Sequence, residues 1–583
     1  MKHISIYLFL IMSLSSTFGW AKSLSVHVFY WSAKIEAQVS MRKGLEEEIA
    51  NYNKTHPDLQ IDLTAHLAGD GRQGVLNQIK QLEDALAKRP DALVIQPTDI
   101  STVSKALQEA NTLKIPVFTF DQFIVLGKIT SYIASDNYQA GWDNGSYLDS
   151  LVPRNQEMKI VLFEYPRVSA VINRLDGFFD ALRAKKRKFV VLKRYEAVTA
   201  ETGLEKTREF LKEFPKKKSV DVIFTVNDGA GITIANFLWD KGRREILHAT
   251  VDGDPIAIEA IKQKKLTVID SAQFCAEMGR ETARQLIAHF TGGSVTARKL
   301  IPTFPVTHQT AANFTGWMGP PVAPPKDFSG FSNENRIIPI EPNKLKGTVI
   351  RIGMAPHCPY LCEQGPGQWG GYVYEILKDL SEKMNFKVEL VNLSNSELTK
   401  ALKNRQVNYI IIPSYFVRYL SDITVYGPKL GVSYTGALFT PGVRMHLVDK
   451  ESLSDMRIAF AKLGQESDLN LDPEEFKKSL KIDGADVADR MIKAIGERRV
   501  DLALGDYNVL RYTLLRRQQL NLELQPTSLT GFNTLSLVGP PEDNSPVKLP
   551  AYLQNWLINS RENGRLDKIL RKYNLPDWSA FNH

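Results

Sequence analysis

Short runs of consecutive apolar residues alternate along this chain with longer stretches in which apolar residues return every three or four positions. The first pattern predicts buried strands and the second amphipathic helices. Between Asp91 and Asn137 the apolar run Ala92–Ile95 ends in Gln-Pro-Thr-Asp, where Pro97 stops strand pairing and Thr98 or Asp99 can cap a following helix. A second run, Ile115–Phe120, ends on Asp121. Strand, helix and strand in this order make a βαβ unit with a carboxylate at a strand's carboxyl end, outside which open α/β sheets bind ligands.

The pattern also predicts strands over Ser25–Tyr30 and Gln60–His66 and helices over Val39–Asn53 and Gly74–Lys88. A second series has strands at Lys159–Phe163, Phe189–Tyr195, Val220–Val226 and Ile246–Val251, with helices at Val171–Lys185, Thr202–Glu213, Gly231–Lys241 and Pro255–Lys262. Such alternation argues for parallel, doubly wound sheets, and two series argue for two lobes about a cleft. From Met318 to Pro342 the chain is rich in Pro, Gly and polar residues without a period, as in a linker that is semi-rigid where proline is dense. Beyond it, strands at Val349–Met354, Lys387–Asn392, Tyr409–Ile412, Arg457–Ala461 and Asp501–Ala503 alternate with helices at Tyr372–Met384, Glu397–Lys403, Asp486–Gly496 and Tyr507–Leu515. The C-terminal stretch reads as two amphipathic helices about an Asn-Gly turn.

Residues Met1–Ala21 carry Lys2 and His3, an apolar stretch Ile4–Leu14 and a small-residue exit at Gly19-Trp20-Ala21, the pattern of a cleaved secretory signal. The apolar part is shorter than the ~20 residues a membrane span needs. No cysteine lies near the exit, so the expected product is free in a periplasm without a lipid anchor. The expected divisions are a signal peptide at 1–21, a first module at 22–317, a linker at 318–346, a second module at 347–578 and a tail at 579–583.

At 583 residues the chain exceeds what one core supports, and 43% hydrophobic with 24% charged residues is ordinary for a globular protein. The net charge of +8 is concentrated in Arg183–Lys188 and Lys216–Lys218. Neither cluster is interleaved with aromatic residues for base stacking, so both read as solvated turns rather than a nucleic-acid surface. Three cysteines are too few for a disulfide scaffold. Cys358 and Cys362, in HCPYLC, can form a bridge if their Cα atoms lie within about 7 Å, stay as two thiols, or bind a metal with His357. Cys275 reads as a small core residue.

The phrase Ile95-Gln96-Pro97-Thr98-Asp99, then Ala110-Asn111, Ile115-Pro116-Val117, Phe120-Asp121 and Ile133-Ala134-Ser135-Asp136-Asn137 closely resembles the periplasmic sugar-binding proteins of the ribose-binding type. The resemblance covers roughly Ser25 to Phe314 and implies two α/β lobes that close about a hinge over a sugar. It also implies ligand roles for Asp121, Arg174, Asn227, Asp252 and Gln273. A sugar hydroxyl both donates and accepts, so carboxylates, Arg and amides suit it. The chain departs from the family at Gln122, where an Arg is usual, and in lacking a Phe pair after the first strand, so Tyr30 and Trp31 are the candidates for stacking. The implied ligand is a sugar, a related polyol or a signal molecule.

From about Leu345 to Trp578 the order of elements resembles the polar amino-acid type of periplasmic binding domain. That resemblance implies that Arg418 clamps a ligand carboxylate in a bidentate fork, that Asp506 takes its ammonium group, that Tyr360 covers a side chain and that Ser414 donates a hydrogen bond. Where the family has a Gly-Thr-Thr anion loop, this chain has AKLGQES. The ligand could also be another small carboxylate or a peptide.

The fold class expected is therefore α/β, with two tandem bilobal modules, each of two doubly wound lobes around a hinge. The function expected is a periplasmic solute receptor with a sugar-like and an amino-acid-like site, no cofactor, no metal site, and an ABC permease or a membrane sensor kinase as partner. The alternatives are a signalling adaptor with one active ligand site and, from another class, a dehydratase-like enzyme using Glu363 and Glu375.

Overall fold

The computed structural model describes residues 22–324 and 346–575, apart from 166–167, 366, 443–446, 448–449, 455, 462–477, 483–485, 519–520, 528, 530–532 and 542–548. The expected signal segment, most of the expected linker, the expected tail and nearly all of AKLGQES lie outside the described residues.

Lobe 1 of the first half is built on β1 (Lys22–Tyr30), β2 (Leu59–Leu67), β3 (Ala92–Ile95), β4 (Val117–Phe120), β5 (Ser131–Ser135) and, arriving late, β11 (Arg298–Ile301), in the order β11-β5-β4-β3-β1-β2. All of its pairings are parallel. Helices α1 (Glu36–Thr55), α2 (Gly71–Ala87) and α3 (Ser104–Thr112) connect these strands. β3 and β4 are buried at every position, which is why they read as unbroken apolar runs. Asp99 does not cap α3; its Oδ1 accepts from Ser101 N and Thr102 N in a turn that precedes the helix.

α4 (Asn137–Leu151) carries the chain into lobe 2, with β6 (Met158–Glu164), β7 (Phe189–Glu196), β8 (Val222–Thr225), β9 (Leu247–Asp252), β10 (Thr267–Ala272) and β12 (Phe304–Thr307) in the order β12-β10-β9-β8-β6-β7. Only β12 among these runs antiparallel, against β10. Helices α5 (Ser169–Ala184), α6 (Ala200–Glu213), α7 (Asp228–Asp240) and α8 (Pro255–Lys262) intervene, and α9 (Cys275–Thr291) returns to lobe 1. The chain thus passes between the two sheets three times, after β5, after β10 and after β11.

The second half also forms two sheets, but they are mixed rather than wholly parallel. One runs β16-β13-β17-β24-β18, where β13 is Val349–Met354, β16 Lys387–Asn392, β17 Tyr409–Pro413, β18 Thr424–Ser433 and β24 Asn533–Gly539; β24 is antiparallel to both neighbours. The other runs β21-β20-β22-β19-β23, with β19 Thr435–Phe439, β20 Ile458–Ala461, β21 Leu480–Ile482, β22 Leu502–Asp506 and β23 Glu523–Pro526; β19 is antiparallel to β22 and β23. The chain switches sheets at Tyr434, between β18 and β19, and returns between β23 and β24, so the strands after each switch run back against their neighbours. A small hairpin, β14 (Cys362–Gly365) with β15 (Gln368–Gly370), precedes α10 (Tyr372–Met384).

The halves are packed together. One apolar cluster runs from Ile100, Phe123, Val125, Leu126 and Tyr132 of lobe 1 and Ile172 of lobe 2 into the β13–β17 sheet of the second half. Among the described residues, no helix is long and apolar enough to cross a membrane.

Candidate ligand site

The strands of each first-half lobe end in polar side chains, and the lobes face one another across those ends. From lobe 1, Gln96 follows β3 and Asp121 follows β4; Gln96 Nε2 donates to Asp121 Oδ2 at 3.1 Å, and Gln96 Oε1 accepts from Trp31 N at 3.1 Å. From lobe 2, Asp252 Oδ1 accepts from Gln273 Nε2 at 2.6 Å and meets Arg174 Nη2 at 3.2 Å. Arg174 Nε donates to Asn137 Oδ1 at 2.8 Å and its Nη1 to Val226 O at 2.5 Å. The guanidinium is thus fixed by three acceptors before any ligand arrives. Gln273 Oε1 is buried, and no described residue donates to it.

Both carboxylates occupy backbone conformations that L residues seldom adopt, with φ of 67° at Asp121 and 138° at Asp252. Burial pushes the Asp121 carboxyl up to about 6, with Gln96 and Arg174 pulling the other way. Burial likewise raises Asp252, opposed by Arg174. Asp228 and Asp270, close behind Asp252, are raised by burial and by neighbouring carboxylates. Asp228 accepts from Thr250 Oγ1 and Asp254 N, and Asp270 from Gly253 N, so this pair braces the loop after β9.

The remaining expected residues lie as follows. Asn227 caps α7, accepting from Ala230 N at 3.4 Å while its Nδ2 donates to Val198 O at 2.9 Å. Tyr30 is buried in the lobe 1 core, edge-on to Phe120 and beneath the Arg42 guanidinium at 4.9 Å. Trp31 is half-buried. Gln122 Oε1 accepts from Ser169 Oγ of lobe 2 at 3.0 Å, a hydrogen bond across the lobes that an Arg would not make in the same way. Gln96 and Asn137 were overlooked as site residues although both stand at strand ends within the quoted phrases. Cys275 is buried.

In the second half the expected pair is divided between two hydrogen-bond sets. Arg418, buried, donates from Nε to Asp176 Oδ1 of α5 at 2.7 Å and from Nη2 to Ser414 Oγ at 3.0 Å, and Ser414 Oγ also accepts from Thr534 N. Its guanidinium therefore reaches the first half through Asp176. The reason is electrostatic: burial alone would raise Asp176, but Arg418, Lys429 and Arg183 outweigh it and hold the carboxyl below its usual range. Asp506 caps the helix Tyr507–Arg517 through Val509 N and accepts from Ser433 Oγ at 2.6 Å and Tyr360 OH at 2.9 Å. Tyr360 thus reaches Asp506 directly. Cys358 and Cys362 are bridged, with Cα atoms 4.8 Å apart, in the loop that carries Tyr360. Glu375 accepts from Lys572 Nζ and Tyr573 OH, and Glu363 from Asn392 Nδ2. Among the described residues, no group of three or more His, Cys, Asp or Glu is placed to hold a metal ion.

Comparison with known proteins puts this geometry in context. Residues 26–294 match the periplasmic binding protein domain family. The chain is 26% identical over 251 residues to the ribose import binding protein RbsB of Bacillus subtilis, covering 43% of this chain and 77% of that protein. It is 30% identical over 198 residues to RbsB of Salmonella typhimurium, covering 34% and 65%. The galactofuranose-binding protein YtfQ of Escherichia coli is 25% identical over 231 residues, covering 39% and 72%. Among solved structures, a galactofuranose binding protein superposes with a TM-score of 0.44 at 20% identity, covering 50% of this chain and 96% of the other. Residues 26–294 thus match the periplasmic binding protein domain model, and the same stretch is similar in sequence to ribose-import binding proteins.

Proposed function

We propose that the first half is the ligand-binding part of an exported receptor that takes a sugar or related polyol and passes it to an ABC-type permease. The observation that carries this reading is the facing pair Asp121 and Asp252–Arg174–Gln273, in which two carboxylates and the open acceptor Gln273 Oε1 await hydroxyl donors. The sequence relatives, ribose and galactofuranose binders by name, point the same way. The proposed compartment is the periplasm, and the protein is read as a receptor rather than an enzyme. Isothermal titration calorimetry of the full chain against a panel of pentoses, hexoses and polyols tests the proposal. Binding by one of them, abolished in Asp121→Ala and Asp252→Ala proteins that remain folded, is the expected result; unchanged affinity in both variants would remove these residues from the site.

The second half is proposed to be a second bilobal module of the amino-acid type, a reading supported by its two five-stranded sheets with two exchanges of the chain between them. An amino-acid ligand is a weaker part of that reading, because Arg418 is engaged by Asp176 and Asp506 by Tyr360. These two contacts favour a second reading, a co-receptor or signalling adaptor with one working ligand site and a membrane kinase as partner. Thermal unfolding with amino acids separates the two: a ligand at ~100 times its dissociation constant stabilises by about 2.7 kcal/mol, so a shift would restore the dual receptor.

A further inference from the structure

The second half touches both lobes of the first. On lobe 2 it meets α5, β6 and β7: Arg418 pairs with Asp176, Arg183 Nη1 donates to Arg418 O at 2.9 Å and Leu420 O at 3.1 Å, and Tyr419 OH donates to Glu164 Oε2 at 3.1 Å while its ring lies under Arg194 and edge-on to Phe179. On lobe 1, Arg72 at the start of α2 donates to Ser452 Oγ at 2.9 Å, and the loop after Asp121 shares the apolar cluster with the second half through Phe123, Val125 and Leu126. The lobes are also joined directly by the hydrogen bond from Ser169 Oγ to Gln122 Oε1. A cleft of this kind opens by rotating one lobe away from the other about its connecting strands. A body fastened to both lobes resists that rotation, because opening must detach it from one of them.

We propose that the second half is an intramolecular clamp that holds the first-half cleft closed and slows the exchange of its ligand. α5 is the element that joins the two functions. Two residues apart on it, Arg174 fixes Asp252 in the ligand site and Asp176 fixes Arg418 in the clamp. Releasing the Asp176–Arg418 pair frees lobe 2 to turn, and the site opens. The clamp stands on the interface alone; only its effect on ligand exchange rests on the receptor reading given above.

The test uses the full chain with spin labels on Lys80→Cys in α2 and Lys212→Cys in α6, both exposed and one in each lobe. Without ligand, pulsed dipolar spectroscopy should give a single interlobe distance, and Arg418→Met should add a second, longer population. Asp176→Asn, isosteric and neutral, carries the test if Arg418→Met fails to fold. Identical distance distributions in the unmodified and folded variant proteins would overturn the clamp. In the ligand arm, a bound sugar should dissociate at least several-fold faster from the variant. If no sugar binds the unmodified protein while the distances still change, the clamp stands and the receptor reading fails.

Discussion

Asp121 is the residue on whose charge the proposed ligand site would most depend. As an ionised carboxylate it accepts from hydroxyls; once protonated it has one acceptor oxygen fewer. Its carboxyl sits at about 6 because burial disfavours the charge. Ligand affinity is therefore expected to be full above this value and to fall as pH drops through it, several-fold between pH 7.5 and 5 on the order of a single lost acceptor; calorimetry across that range is the check, and Asp121→Asn should flatten the dependence. The strand-end placement of Asp121, Asp252 and Gln273 was legible in the sequence because each follows an apolar run, and strand ends border the crevice. Asn227 satisfies the same criterion yet serves α7 as its cap, since a side chain one residue before a helix can reach the unpaired N–H groups there. The contact of Arg418 was not legible for a different reason: its partner, Asp176, lies 242 positions away, and no local pattern signals it.

The central strands of the first half, such as β3, β4 and β8, were readable because they are parallel and buried on both faces, so their runs are nearly continuously apolar. β18 escaped notice because Gly427 and Pro428 interrupt its apolar pattern, β11 because Arg298 and Lys299 open it, and β12 because Pro305 breaks its run. Helix contacts were equally invisible from periodicity alone. α4 and α5 cross so closely that a Cβ on Gly177 would run into Tyr138 O, and one on Gly141 into Arg174 O. Gly177→Ala should therefore force the helices apart and lower stability by about 1–3 kcal/mol, as overpacking does. Chemical denaturation measures it, and because Arg174 rides on α5, ligand affinity should fall in the same variant.

At the scale of the whole molecule the Asp176–Arg418 pair is a buried charged contact between the two halves. Removing one partner of such a pair leaves the other charge buried and costs about 3–5 kcal/mol, so Arg418→Met should unfold at clearly lower denaturant than the unmodified chain. The Asp176 carboxyl is held below its usual 3.8. Its contribution is thus fully present above pH 3.8 and is lost as pH falls further, through the depressed folded value. The stability gap between the unmodified protein and Arg418→Met should accordingly close in acid below that point, and a gap that persists there would assign it to packing.

The linker gives the interface between the halves one further property. Because the two bodies belong to one chain, their docking is unimolecular, at an effective concentration in the millimolar range for a short tether. Dilution cannot separate them. A single proteolytic cut in the proline-rich segment would leave the described interface contacts in place yet convert docking into a bimolecular equilibrium. At micromolar protein the halves would then remain together only to the extent of their own dissociation constant, so a cut there would relieve the closure irreversibly.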